Sequence, residues 1–114
     1  MYGLRQSDIT SITATLRTFP EVEEALIFGS RAKGTQRQGS DVDIALKGVE
    51  IGFSTLSRIS ALLNEESLMP YHFDLVHYNE IENAELRDHI DRVGKQFYIR
   101  LADSRRASEP NVGY

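Results

Sequence analysis

Apolar positions change their spacing from one stretch of the chain to the next, and each change marks an element. From Asp8 to Phe19 the residues Ile9, Ile12, Leu16 and Phe19 recur at helical spacing, with Ser7 or Asp8 as N-cap and Pro20 as a stop, which predicts a first helix. After the acidic stretch Glu21 to Glu24, the short apolar run Ala25-Leu26-Ile27-Phe28, closed by Gly29, suits a buried strand. The polar segment bounded by Gly34 and Gly39 reads as a loop, and Asp41-Val42-Asp43-Ile44-Ala45-Leu46 then alternates as a second strand. Leu56, Ile59, Leu62 and Leu63 predict an amphipathic helix over 54–66, and Pro70 separates it from a third strand, His72 to His77, with Asp74 in its middle. From Asn83 the stripe Leu86, Ile90, Val93 and Phe97 predicts a last helix reaching toward Leu101, with Gly94 as a weak point or an early end.

A length of 114 residues supports one hydrophobic core, because a second would have too little apolar surface to bury. The expected domain covers 1–103. The polar, aperiodic stretch from Ser104 to Tyr114 is expected to be a flexible tail. No apolar run approaches the roughly 20 residues of a membrane span, so no membrane partner is expected. The start, Met1 to Asp8, lacks the basic and apolar pattern of a secretory signal, and the chain has no cysteine; a cytoplasmic location is the simplest expectation. A formal net charge of −4 disfavours direct nucleic-acid binding, since the phosphate backbone would be repelled.

Candidate chemistry centres on two segments. Asp41 and Asp43 stand two apart on the predicted strand, so both carboxylates would leave the same face. Like charges side by side repel and are costly to desolvate unless a hard cation lies between them, and magnesium takes such oxygen ligands together with nucleotide phosphates. Upstream, Gly29-Ser30 ends a strand and opens a short helical turn, whose free N–H groups favour an anion. Ser30 can donate its hydroxyl to a phosphate oxygen, and Arg31 and Lys33 add positive charge nearby. His72, His77 and His89 are read as ordinary surface or structural histidines, and Tyr71, Tyr78 and Tyr98 as core or partner contacts.

Each piece is common alone; the order is not. Gly-Ser after a buried strand, ten intervening residues, then Asp-Val-Asp-Ile opening a second strand resembles the signature of the DNA polymerase β nucleotidyltransferase superfamily. The segment Phe28 to Ile44, with Phe73-Asp74-Leu75-Val76 downstream, is most similar to the minimal nucleotidyltransferases, the short antitoxin partners of HEPN-type RNase toxins. The resemblance implies a polymerase β-like α/β fold, a small mixed sheet with helices packed on one face. It implies that Asp41, Asp43 and Asp74 are the catalytic, metal-binding carboxylates, with two Mg²⁺ ions in the active complex. Gly29, Ser30, Arg31, Lys33 and Ser40 would bind the nucleoside triphosphate. For Asp74 an independent argument agrees: an acidic residue inside an apolar strand must face water or a cation.

By the same resemblance the reaction is in-line attack of an acceptor hydroxyl on the α-phosphate of ATP, with the acceptor a tyrosine of the HEPN toxin. Larger superfamily members hold the acceptor in an added helical region, which this chain has no residues left to build, so the acceptor is expected to come from outside. Two other readings stand beside this one. A binding module would neutralise the toxin without chemistry, and a homodimeric small-molecule transferase would turn over a soluble acceptor alone.

Overall fold

The computed structural model describes residues 1–101. In chain order the elements are α1 (Gln6–Arg17), β1 (Glu24–Phe28), α2 (Gly29–Lys33), β2 (Val42–Lys47) and α3 (Phe53–Ala61), which continues into a π turn (Leu62–Glu66). Then come β3 (Phe73–His77), a 3₁₀ turn (Tyr78–Glu80), α4 (Ala84–Val93) and β4 (Lys95–Ile99). The strands form one mixed sheet in the order β3-β2-β1-β4. β1 runs antiparallel to β2 and β4, whereas β2 and β3 are parallel. A parallel pair cannot be closed by a tight turn, and α3 supplies the crossover.

Alternation along the strands divides the side chains between two faces. Ala25, Ile27, Val42, Ile44, Leu46 and Phe73 meet Ile12 and Leu16 of α1 and Ile59 and Leu63 of the crossover. Each fully buried Ile or Leu there contributes about 1.5–3 kcal/mol, so this face holds the domain together. On the opposite face Phe28 and Ala45 pack against Ile90 of α4. The expected mixed α/β architecture is thus borne out with a refinement: α1 and α3 back one face, and α4 covers part of the face that carries Asp43 and Asp74. Among the described residues no helix is long and apolar enough to cross a membrane.

Two local expectations are corrected. The helical stripe expected to run through Phe97 ends at Val93, and Lys95–Ile99 forms β4. Gly94 makes this exit possible: a Cβ there would lie 2.5 Å from the carbonyl oxygen of Ile90, so only glycine lets the chain turn back so tightly under the helix. Phe97 sits in a bulge where the β1–β4 register shifts between Ala25 and Leu26, and Tyr98 is buried in the main core. At the other end, α1 begins at Gln6 rather than Asp8. Asp8 lies inside the first turn, buried, and accepts hydrogen bonds from the Tyr71 hydroxyl at 2.7 Å and the Arg5 amide at 3.0 Å. The expected flexible tail, 104–114, lies outside the described residues.

Candidate active site

The sheet register assembles the site. Phe28, the last residue of β1, is paired with Asp43 of β2, and Asp43 is paired in turn with Asp74 of β3. Partners in register share a face, so Phe28, Asp43 and Asp74 form a row across three strands, with adjacent strands about 4.8 Å apart. Gly29 follows Phe28 with φ +74°, and a Cβ there would stand 2.3 Å from Oδ2 of Asp43. The bend into α2 is therefore closed directly onto the Asp43 carboxylate, and the missing side chain is what makes room for it. α2 is ended by Gly34 at φ +79°, a left-handed cap.

Asp43 is half-buried, and its carboxyl is held above the ordinary aspartate range. Burial is the main cause, followed by the charges of Asp74 and Asp41; Arg31 and His89 act weakly in the other direction. Asp74 is exposed. Asp41 differs from expectation: it immediately precedes β2 rather than lying within it. Its Oδ1 stands 3.6 Å from Nδ1 of His72, an exposed and correspondingly weak pairing. Among the described residues no three His, Cys, Asp or Glu side chains converge closely enough to hold a metal ion as they stand. The expected three-carboxylate set is thus a registered pair, Asp43 and Asp74, with Asp41 within electrostatic reach but turned toward His72. Repulsion from the other two charges favours that turn. The pair itself suits a hard divalent cation, whose charge would offset the destabilisation of ionised Asp43 and which is commonly held by one or two carboxylates plus phosphate oxygens.

The residues expected to meet phosphate separate into two groups. Gly29 and Ser30 open α2, where backbone N–H groups have no partner within the helix, and Lys33 is exposed at its end. Arg31 is buried, and its guanidinium donates to three carbonyls: Asp41 at 3.1 Å, Tyr2 at 3.0 Å and Ser40 at 2.9 Å. It also lies 5.2 Å over the Tyr71 ring. The direct phosphate contact expected of Arg31 gives way to a strut that fastens the loop before Asp41 to α2 and the N-terminal segment. The Ser40 hydroxyl accepts the Arg37 amide at 2.8 Å, which shapes the same loop.

His89, read from the sequence as an ordinary histidine, lies beside the site. α4 brings its ring edge-on to Phe28 with centroids 6.1 Å apart, at the end of the acidic row. Its place one residue before the core-facing Ile90 was the available signal, but only the packing of α4 on the acidic face makes it meaningful.

The chain matches the family described as "Polymerase beta, Nucleotidyltransferase" over residues 10–103. Among solved structures, a toxin–antitoxin with AMP-PNP is 25% identical with a TM-score of 0.69, the match covering 86% of this chain and 78% of that one. The tri-AMPylated Shewanella oneidensis HEPN toxin in complex with its MNT antitoxin gives 21% identity and a TM-score of 0.65, with 90% and 78% covered. The toxin–antitoxin MntA–HepT gives 21% identity and a TM-score of 0.64, with 89% and 78% covered. No curated protein matches.

Proposed function

The chain belongs to the polymerase beta nucleotidyltransferase family, and from that premise we propose that it is a minimal nucleotidyltransferase, the antitoxin of a HEPN toxin, which transfers AMP from ATP to a tyrosine hydroxyl of that toxin. One observation carries the reading: Asp43 and Asp74 are registered side by side while the Gly29 bend closes onto Asp43. The choice of donor and acceptor is supported by likeness to a toxin–antitoxin structure holding AMP-PNP, and at the level of fold by the complex with a tri-AMPylated HEPN toxin.

In this reading the amides of Gly29 and Ser30, with the Ser30 hydroxyl, receive the triphosphate, and Lys33 supplies charge beside it. Asp43 and Asp74 would hold Mg²⁺, joined by Asp41 after a side-chain rotation. Bound there, the metal would lower the pKa of the acceptor hydroxyl and offset charge on the departing pyrophosphate. Asp74, exposed on the edge strand, faces an incoming partner and accepts the acceptor's proton. The acceptor oxygen bonds to the α-phosphorus as the bond to pyrophosphate breaks. Gly29 and α2 hold the phosphates in line for that displacement.

The turned-aside Asp41 favours one second reading, an antitoxin that silences its toxin by binding alone. Incubation with labelled ATP, magnesium and the HEPN partner separates the two. Transfer predicts label on the toxin that disappears in the Asp43→Asn, Asp74→Asn double variant. Protection from the toxin by that variant, with no label moved by the wild-type protein, would establish the binding module.

A further inference from the structure

We propose that Asn64 is a positioning residue for Asp74, an inference that rests on the transferase reading above. β3 is an edge strand: β2 pairs with one side of it, and the other side would leave backbone groups open. At Phe73, buried and immediately before Asp74, that outer side is closed by one side chain. The Phe73 amide donates to Oδ1 of Asn64 at 2.7 Å, and Nδ2 of Asn64 donates to the Phe73 carbonyl at 3.0 Å. A single amide thus presents the donor and acceptor that a neighbouring strand would have offered.

The Phe73 backbone itself sets the orientation of the Asn64 amide, because its N–H can only donate and its carbonyl can only accept. Reversing it would set donor against donor and acceptor against acceptor, and Nδ2 as placed also donates to the Ser60 hydroxyl at 3.2 Å. Asn64 lies within the π turn Leu62–Glu66, a wide turn that regular helices rarely contain and that frequently occurs at functional sites. In the same turn Leu63 is anchored in the core. The helix is therefore fixed on one side by Leu63 and grips the β3 edge on the other through Asn64.

Asp74 has no side-chain hydrogen bond among the described residues, so its place beside Asp43 depends on where the β3 backbone runs. The β2 ladder holds that backbone from one side and Asn64 from the other. With the Asn64 amide removed, β3 can drift or twist about Phe73, and the carboxylate that accepts the proton moves with it. Gly29, Ser30 and Asp43 do not depend on this grip. The predicted signature is a loss of turnover with nucleotide binding retained.

The test compares wild type with Asn64→Ala and two controls. Ser60→Ala removes only the third bond, and Leu16→Ala destabilises the same core from α1, away from the π turn that carries Asn64. Backbone exchange at Phe73 is followed by hydrogen–deuterium exchange, and kcat and KM for ATP are measured below the unfolding range of every variant. In Asn64→Ala, Phe73 exchanges at least about tenfold faster, kcat falls roughly ten- to a hundredfold, and KM for ATP stays within about threefold. Leu16→Ala lowers Tm at least as far yet keeps kcat within about threefold, and Ser60→Ala stays near wild type. Wild-type turnover in Asn64→Ala, or an equal kcat loss in Leu16→Ala, overturns the positioning role. If wild type itself transfers nothing, the transferase reading fails. Unchanged Phe73 exchange in Asn64→Ala overturns the grip by itself.

Discussion

Two glycines with nearly the same backbone allow the active-site geometry to be tested apart from stability. Gly29 and Gly34 have φ of +74° and +79°, and alanine in this left-handed region costs about 1–2 kcal/mol at either position. For a domain of this size that is a fall in Tm of roughly 4–8 °C per kcal/mol. Their surroundings differ. At Gly34 a Cβ would meet nothing within 4 Å, whereas at Gly29 it would stand 2.3 Å from Oδ2 and 3.3 Å from Cγ of Asp43. The obstructing atoms belong to a side-chain end, so the clash is relieved by swinging the carboxylate away at small cost in stability. Ordinary van der Waals contact requires the oxygen to retreat by about 1 Å, a misplacement that can cost about a hundredfold in rate. Gly29→Ala and Gly34→Ala should therefore lose similar amounts of Tm, while AMP transfer falls about a hundredfold in the first and stays within about threefold in the second. Thermal unfolding and a labelled-ATP assay on the two variants measure both quantities. Full activity in Gly29→Ala, or equal losses in both, would refute the claim that the Gly29 bend sets Asp43.

Three further outcomes follow from the structure. Asp43 has its folded pKa raised, chiefly by burial, so the ionised group is unfavourable in the fold above the unfolded aspartate value of about 3.9. Asp43→Asn should thus abolish transfer yet raise Tm at pH 7, with the gain vanishing near pH 3; pH-resolved melting checks it. Asp8 shows the opposite sign. Burial is the largest influence and would raise its pKa, but the Tyr71, Arg5 amide and Arg5 side-chain bonds together hold it below the ordinary value. Its contribution to stability is present above about pH 4 and lost as pH falls through the folded value. Tyr71→Phe should cost about 1.5–3 kcal/mol at pH 7, and its gap to wild type should narrow below pH 4. Finally, Arg31→Lys replaces a planar fork that reaches three carbonyls with a point charge, so it should cost about 2–3 kcal/mol and loosen the loop around the already exposed Arg37, read as faster limited proteolysis by trypsin.

The chemistry-bearing part of the fold was legible because local rules and the global fold coincide there. The apolar run to Phe28, the glycine at a bend and the acidic alternation around Asp43 are each demanded by backbone or by burial, so each leaves a trace in residue type. The fourth strand left an ambiguous one. Phe97 falls at helical spacing from Val93, so Gly94 reads equally as a weak point or as an end; what decides for the end is the tight approach of its Cα to the Ile90 carbonyl, together with pairing to β1 far away in sequence.

What could not be read is the set of residues that hold the acidic row in place. Arg31 looks like a phosphate ligand because a basic residue after Gly-Ser sits where phosphate would be, yet its guanidinium is engaged by carbonyls nine, ten and twenty-nine positions away. Asn64 looks like a polar residue on a helix, and its role appears only when a strand nine residues on passes beside it. Both act on backbone atoms, which every residue type carries, so neither partner sequence could advertise the contact. A carboxylate, by contrast, reveals itself wherever apolar neighbours make its charge costly. Charge in an apolar strand is therefore readable from sequence, whereas the amides and guanidinium that fix where the charge points are visible only once the strands are laid side by side.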